Sequence, residues 1–463
     1  MERTHIGEIN EKIKDKKIKI EGWVDIIREH GKLIFLDIRD LTGIVQCVIT
    51  SKNEQITLAK SLTKESCISI EGVVGLRPEK TVNPNIPTGK VELKIENINV
   101  LNYCSALPFD LENQETNEEI RLQYRYLDLR RKQMQNNLII RSKIIRIIRD
   151  CLYGEGFNEF ETPLLAKSTP EGARDYVVPS RTQSGKFFAL PQSPQLFKQL
   201  LMVAGFEKYF QIAKCMRDED LRSDRQPEFT QLDVEMSFIE QDDIIKLTEK
   251  ILKKIWKEIL NIDIKTPFQR ITYDEAMSKY KSDRPDLRKN KEDKKEFAFC
   301  WVVDFPAFEY SEEHKKYVAT HHPFTMPNME EFEKNPANAK SKAYDIVLNG
   351  VEIGGGSIRI HNPEIQQKVF RFLGINEKEQ KEKFGFLLDA LKFGAPPHGG
   401  IAWGLDRLIQ IILGVDSIRE VIAFPKNKEA KDLMLEAPSK LSEKQLKEVH
   451  IKLISKKEKI PEK

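Results

Sequence analysis

Phe210–Phe238 reads FQIAKCMRDEDLRSDRQPEFTQLDVEMSF. Both ends alternate like β-strands, while the middle, Arg217–Pro227, is packed with Arg and Asp and contains a proline. This pattern predicts a long hairpin whose loop presents Arg217, Arg222 and Arg225. Guanidinium forks suit phosphates and carboxylates. A solvated charge run is the plainer alternative. The returning arm argues against it. Thr230, Leu232 and Val234 alternate with Gln231, Asp233 and Glu235, so one face of an expected central strand is polar, and such a face needs a partner.

Two further segments carry chemistry. Tyr344–Ile353 reads YDIVLNGVEI, and its Asn349-Gly350 pair is a two-residue turn signal. The implied register pairs Leu348 with Val351 and Val347 with Glu352. Asp345 and Glu352 then become diagonal neighbours on one face. Two carboxylates so placed repel unless a cation lies between them, and they suit a Mg²⁺–phosphate site. A pair of exposed surface acids is the alternative. Gly399–Gly414 reads GGIAWGLDRLIQIILG. Arg407 in this otherwise apolar stretch needs a counter-charge, which a bound triphosphate would supply. There is no GxxxxGK[ST], so any ATP handling must rest on arginines and metal-bearing carboxylates.

Around these segments the chain divides in two. Five short strand-like runs, Lys17–Val24, Leu33–Ile38, Ile44–Ile49, Ile68–Val74 and Val91–Ile95, suit an OB-type β-barrel over residues 1–104, with another small β-sandwich as the alternative. Asp40–Gly43 (DLTG) marks a tight turn. Residues 105–130 form a polar hinge connector. Asn137–Leu152 has helical amphipathic spacing. The remainder, 131–463, mixes helix and strand without a βαβ rhythm, which predicts an α+β fold with a largely antiparallel sheet.

The 463 residues call for two or three domains. A hydrophobic fraction of 40% beside 32% charged residues suits a folded, soluble chain, and a net charge of +3 says little about partners. Six scattered cysteines without a CxxC pair give no support for a zinc or redox site. A charged N-terminus and the lack of a long apolar run point to the cytoplasm.

Together the three segments resemble the three motifs of class II aminoacyl-tRNA synthetases. The helix before Gly156–Pro163 (GFNEFETP) resembles motif 1, which forms dimers; Phe210–Phe238 resembles motif 2; Gly400–Arg407 (GIAWGLDR) resembles motif 3. TPEGARDYVVPSR at 169–181, QSPQLFKQ at 192–199 and GVEIGGGSIRIHN at 350–362 are similar to bacterial-type aspartyl enzymes. The resemblance runs through essentially the whole chain. It implies a class II antiparallel-sheet catalytic domain that joins aspartate to tRNA(Asp) with ATP and Mg²⁺, working as a homodimer. Arg217 would hold the aspartate α-carboxylate and the ATP α-phosphate. Asp218, Glu219, Gln226 and Phe229 would meet the nucleotide, with Gly404, Leu405, Asp406 and Arg407 on its far side. Asp345 and Glu352 would carry Mg²⁺. Lys198 and Arg359 would pair with the substrate's side-chain carboxylate. Ser193, Gln231, Asp233 and Glu171 would face its ammonium or close over it, Gln195 would also line the aspartate site, and His321 and His322 would line the same pocket. Arg28, Phe35, Gln46 and Glu92 would read the anticodon, with Phe35 either a stacking platform or a core residue.

Two features depart from the pattern. Bacterial-type relatives carry an extra domain between segments matching Tyr280–Arg288 (YKSDRPDLR) and Cys300–Pro306 (CWVVDFP); here only a short charged linker near 289–299 remains. The positions that separate enzymes strict for tRNA(Asp) from those that also charge tRNA(Asn) disagree: His30 resembles the relaxed form and Lys80 the strict one, and the balance leans to the strict form. Asparaginyl or lysyl enzymes are alternatives that the Lys198/Arg359 pair opposes. A catalytically dead RNA-binding relative should lack Arg217, Glu352 or Arg407, and a tRNA-independent ligase would not need the barrel.

Overall fold

The structure, a computed structural model, describes residues 1–168 and 173–454; Glu171 lies outside them. Two compact units are present, Met1–Asp110 and the chain from Leu111 onward.

The first unit is built on β1 (Lys17–His30), β2 (Leu33–Arg39), β3 (Ile44–Thr50), β4 (Cys67–Leu76) and β5 (Val91–Asn102). The strands follow the order β1-β2-β3-β5-β4, and β1 pairs with β4 to close a barrel. Alternation decides what faces inward. Ile34, Leu36 and Ile38 of β2 meet Val45, Cys47 and Ile49 of β3 in one core. Phe35, Asp37 and Gln46 alternate with them and stay half-buried on the outer face. Phe35 is therefore outside the core. The Asp40 turn forms as expected, with its Oδ1 accepting from the backbone N–H groups of Thr42 at 2.7 Å and Gly43 at 3.1 Å. β1 continues past Val24 through a bulge and pairs with β2 as far as His30.

The second unit contains an eight-stranded sheet. Its strands are β6 (Asn158–Glu159), β7 (Lys208–Met216), β8 (Glu228–Ser237), β9 (Gln269–Thr272), β10 (Phe299–Val303), β11 (Ala343–Leu348), β12 (Val351–Ile358) and β13 (His398–Gly404), in the order β9-β10-β11-β12-β13-β8-β7-β6. All neighbours are antiparallel except β9 with β10 and β6 with β7. Helices α1 (Lys132–Gly154), α2 (Gln195–Val203), α3 (Gln241–Ile255) and α4 (Leu405–Leu413) belong to this unit. Ile144, Ile147, Ile148 and Cys151 recur at helical spacing on α1 and share one core with Leu252 of α3, Leu408 of α4 and Leu232, Val234 and Trp403 of the sheet. Each such side chain contributes about 1.5–3 kcal/mol by leaving water. Since Leu232 and Val234 point into that core, Gln231, Asp233 and Glu235 point to the opposite face, where α2 brings Lys198 to Asp233.

Glycine is required at the middle of this face. A Cβ on Gly400 would stand 2.0 Å from the Val234 carbonyl oxygen and 2.1 Å from Glu235 Oε2. Gly400→Ala is expected to destabilise the unit by about 3 kcal/mol or more through overpacking. Gly154→Ala, where nothing lies within 4 Å, should change stability little. Urea unfolding of the two variants checks the difference, and equal stabilities would refute it.

Candidate active site

The polar face is organised by a buried ion cluster. Lys198 Nζ lies 2.5 Å from Asp233 Oδ1 and 3.4 Å from Glu235 Oε2. Arg359 donates to Glu235 through Nε at 3.0 Å and Nη2 at 3.3 Å, and to Ser357 Oγ through Nη1 at 2.7 Å. Lys198 is 1% exposed, Arg359 4%, and both carboxylates 0%, so these charges answer to one another rather than to water. Burial works against ionised Glu235, yet Arg359 and Lys198 outweigh it and hold its pKa below the ordinary value. Asp233 Oδ2 is buried and has no donor among the described residues. An acceptor left open in a dry site suits a cationic group of a ligand.

The adjacent histidines divide their roles. His322 is pushed down to about 3 by burial and then by Arg359 and Lys198, so it stays neutral. His321 Nε2 lies 3.3 Å from Asp345 Oδ1. Burial opposes its protonation, but Asp345 and Glu352 outweigh burial and raise its pKa.

Asp345 and Glu352 come together on the hairpin, although its register shifts between Ile346 and Val347. Leu348 pairs with Val351 and Val347 with Glu352; a bulge then sets Asp345 opposite Gly355. A side chain at Gly355 would begin 2.5 Å from Asp345 Oδ1 and 3.6 Å from Glu352 Oε1, so glycine leaves room for both carboxylates. The charge of Asp345, followed by burial, pushes Glu352 up to about 7. Among the described residues there is no cluster of three metal-ligating side chains. Two carboxylates so placed could hold a Mg²⁺ ion that takes its remaining oxygens from water and substrate phosphate.

The expected hairpin is β7 and β8, paired from Glu228 with Met216 to Met236 with Lys208. At its mouth the Arg217 guanidinium carbon lies 5.1 Å from the centre of the Phe229 ring. Among the described residues Arg217 Nε and Arg407 Nε are buried without acceptors, which leaves two arginine donors open for anionic oxygens. Arg407 is held by the Glu352 carbonyl at 2.7 Å and by Asp224 at 3.3 Å.

Several predicted nucleotide residues are engaged within the protein. The Gln226 amide spans the Lys426 backbone, donating to its oxygen at 3.0 Å and accepting from its N–H at 2.8 Å. Asp406 accepts from Arg141 of α1 and, at 2.8 Å, from the Thr230 N–H. The Leu405 side chain is in the core, and Gly404 stands opposite Gln231. Glu219 pairs with Arg225 at 3.3 Å, and the Asp218 N–H donates to the Arg174 oxygen at 3.0 Å. Ser193 Oγ accepts from the Gln195 N–H at 3.3 Å, and Gln231 Oε1 accepts from the Cys215 thiol at 3.2 Å.

A second polar patch occupies the outer face of the barrel. Arg28 makes two 2.8 Å bonds to Asp37 and reaches Gln46 at 3.3 Å; Gln46 in turn donates to Glu92 at 3.1 Å. Phe35 meets the His30 ring edge-on, centroids 6.0 Å apart. Its half-exposed face beside donors and acceptors can stack a base.

Comparison with known proteins covers both regions of the chain. Residues 117–428 match the model of the class II tRNA synthetases (D, K and N), and residues 18–101 match the OB-fold nucleic acid binding domain. The Aspartate--tRNA(Asp/Asn) ligase of Caldanaerobacter subterraneus subsp. tengcongensis is 43% identical over 583 aligned positions covering 98% of each chain. The chain belongs to the class II aminoacyl-tRNA synthetases, in the aspartate–tRNA ligase family. The Aspartate--tRNA(Asp/Asn) ligase of Dictyoglomus turgidum is 44% identical over 588 positions, 99% of each chain. The solved asparaginyl-tRNA synthetase from Pyrococcus horikoshii, complexed with asparaginyl-adenylate, shares 26% identity at a TM-score of 0.75, covering 92% of this chain and 98% of that one. This synthetase has 463 residues against 583 aligned positions in the first comparison, so at least 120 positions of that relative have no counterpart here.

Sequence reasoning missed Glu235, Ser357 and Asp224 as site residues. Glu235 was signalled by its alternation with Gln231 and Asp233, but a carboxylate partner for Arg359 on the same sheet needed the strand order. Arg359→Leu leaves Glu235 with Lys198 as its one remaining cation in a dry site. This should lower the unfolding free energy by about 3–5 kcal/mol. Adding Glu235→Gln should recover part of the loss, as read by chemical denaturation; an Arg359→Leu protein as stable as the parent would contradict the arrangement.

Proposed function

We propose that this synthetase activates L-aspartate with ATP, forming aspartyl-adenylate and pyrophosphate, and transfers the aspartate to the 3′ end of tRNA(Asp) and of tRNA(Asn). The buried Lys198–Arg359 pair carries the amino-acid assignment. Aspartate brings a second carboxylate to these cations, while its ammonium suits the open Asp233 oxygen. Asparagine brings a neutral amide, and lysine a like charge. A pocket built around charged partners rejects an analogue lacking the charge by roughly 10⁴-fold.

In this reading the α-carboxylate attacks the ATP α-phosphorus as an anion, and pyrophosphate leaves with the bond electrons. No side chain has to remove a proton, so the chain's contribution is positioning and charge. Arg217 would hold carboxylate and α-phosphate together and stabilise the charge that develops on the phosphorus oxygens. Arg407 would grip the far phosphates, with Phe229 beside the adenine. Asp345 and Glu352 would hold Mg²⁺, which neutralises phosphate charge when bound. The outer face of the barrel, with Arg28, Phe35, Gln46 and Glu92, would read the anticodon. His30 and Lys80 divide on tRNA choice; the two ligases reported above, both named for tRNA(Asp/Asn), favour the broader reading. The segment near 289–299 is where the positions missing relative to those ligases would fall. The synthetase would work in the cytoplasm as a homodimer, with α1 and the edge strand β6 as the motif 1 surface. Among the described residues no helix is long and apolar enough to cross a membrane.

Labelled-aspartate charging of tRNA(Asp) and tRNA(Asn) transcripts, beside aspartate-dependent ATP–pyrophosphate exchange, tests the proposal. Exchange with charging of both is expected. Charging of tRNA(Asp) alone would make Lys80 the better guide, and absence of exchange would overturn the aspartate assignment.

Mg²⁺ should also bind in competition with protons. Glu352 titrates near 7 without the ion, and the ion needs the carboxylate ionised. Apparent Mg²⁺ affinity in the exchange reaction should therefore be about tenfold weaker at pH 6 than at pH 8. Glu352→Gln should weaken it at both and flatten this dependence; a pH-independent Mg²⁺ requirement in the parent enzyme would argue against the carboxylate pair as the site.

A further inference from the structure

Gln195 and Gln199 stand one helical turn apart on α2, flanking Lys198, and both are buried. A line of hydrogen bonds runs from them to β13. His398 Nδ1 lies 2.8 Å from the Pro396 oxygen, and His398 Nε2 lies 3.2 Å from Gln199 Nε2. Gln195 Nε2 lies 3.1 Å from Gln199 Oε1.

The direction of this line is fixed at one end. A backbone carbonyl can only accept, so His398 Nδ1 carries the proton. Burial holds the His398 pKa below its ordinary value against the pull of Glu235, so the ring is neutral and Nε2 is a bare acceptor. Gln199 meets it with its NH₂ group and turns its own oxygen toward Gln195. Gln195 answers with its NH₂ group. Its Oε1 remains at the open end: among the described residues no donor reaches it, and it is not sealed from solvent.

We propose that Gln199 and His398 are positioning residues that fix the orientation of the Gln195 amide, so that an acceptor faces the substrate's ammonium group. This rests on the reading of the site as an aspartate pocket. Gln199 and His398 are each 0% exposed, so neither can touch a substrate directly. An unconstrained glutamine fits a site equally well when flipped, but the flipped form would turn donors toward an ammonium that has only donors. The same His398 is joined to the other cation, since its backbone oxygen accepts from the Arg359 N–H at 2.9 Å. One residue thus braces the amide that meets the ammonium and the strand end that carries a carboxylate partner.

The test compares aspartate with succinate, which is aspartate without its ammonium group, as a competitive inhibitor of ATP–pyrophosphate exchange by the full-length enzyme. Gln199→Met and His398→Phe are each expected to raise KM for aspartate by about 10–100-fold, the range for a lost charge-assisted hydrogen bond. The KM for ATP and the inhibition constant of succinate should stay within about twofold, because neither ligand uses the Gln195 oxygen. His398→Gln, whose amide oxygen can replace the accepting Nε2, should recover much of the affinity for aspartate. Equal weakening of aspartate and succinate would reduce the two residues to supports of pocket shape and overturn the proposal. An unchanged KM for aspartate in Gln199→Met would do the same, and that variant decides the matter if His398→Phe does not fold. A parent enzyme inactive with aspartate would instead overturn the reading of the pocket itself.

Discussion

Two cations and two carboxylates share one dry face of a β-sheet, and most of the second unit can be understood as the means of keeping them there. Lys198 comes from α2, Asp233 and Glu235 from β8, and Arg359 from the residue after β12. None of these charges would survive burial alone, since a charge taken out of water needs a close partner. Three elements must therefore meet at fixed distances. Glycine at 400 follows, because Glu235 Oε2 and the Val234 carbonyl occupy the space a side chain would take. The neutrality of His322 follows too, because burial, and then the neighbouring Arg359 and Lys198, disfavour a further cation there.

The balance of charge in this cluster bears on selectivity. Lys198 and Arg359 match Asp233 and Glu235, so the face is already neutral without a ligand. A ligand that enters must bring charges that can replace existing partners. An ammonium drawn to the open oxygen of Asp233 competes with Lys198 for that carboxylate. The freed lysine is then available to the ligand's carboxylate. Binding of the positive end and of the negative end are therefore coupled through one side chain.

Much of this was readable in the sequence because strand alternation and the Asn349-Gly350 turn are local signals. They gave the motif 2 hairpin, its polar face and the pairing of Val347 with Glu352, all of which the structure contains. The barrel strands were readable for the same reason, although β1 ran on past Val24 once a bulge absorbed the break in alternation. What the sequence hid depends on contacts between distant elements. Asp345 stands opposite Gly355 because of a bulge between Ile346 and Val347, and no local pattern marks it. Gln226 and Asp406, read as nucleotide contacts by resemblance, bind Lys426 on one side and Arg141 with Thr230 on the other. They shape the site by tying its elements together. Their partners lie far along the chain, and spacing alone could not reveal them.

The Asn349-Gly350 hairpin is also fastened to the linker that precedes β10. Asn349, at the tip between β11 and β12, accepts from the Ala298 N–H at 2.8 Å and donates to the Glu296 oxygen at 2.8 Å, while its own N–H bonds the Ala298 carbonyl at 3.1 Å. Glu296 turns its carboxylate onto the backbone N–H groups of Lys289 and Asn290, at 2.9 and 3.0 Å. The linker is thus closed on itself and fastened to the turn that sets the spacing of Asp345 and Glu352. A longer insertion at this point would have to leave from, and return to, the same anchors. Asn349 therefore serves twice: its left-handed backbone, φ 53°, makes the two-residue turn, and its side chain holds the linker against it. The turn that brings Asp345 and Glu352 onto one hairpin is thus anchored locally, by the linker residues Glu296 and Ala298.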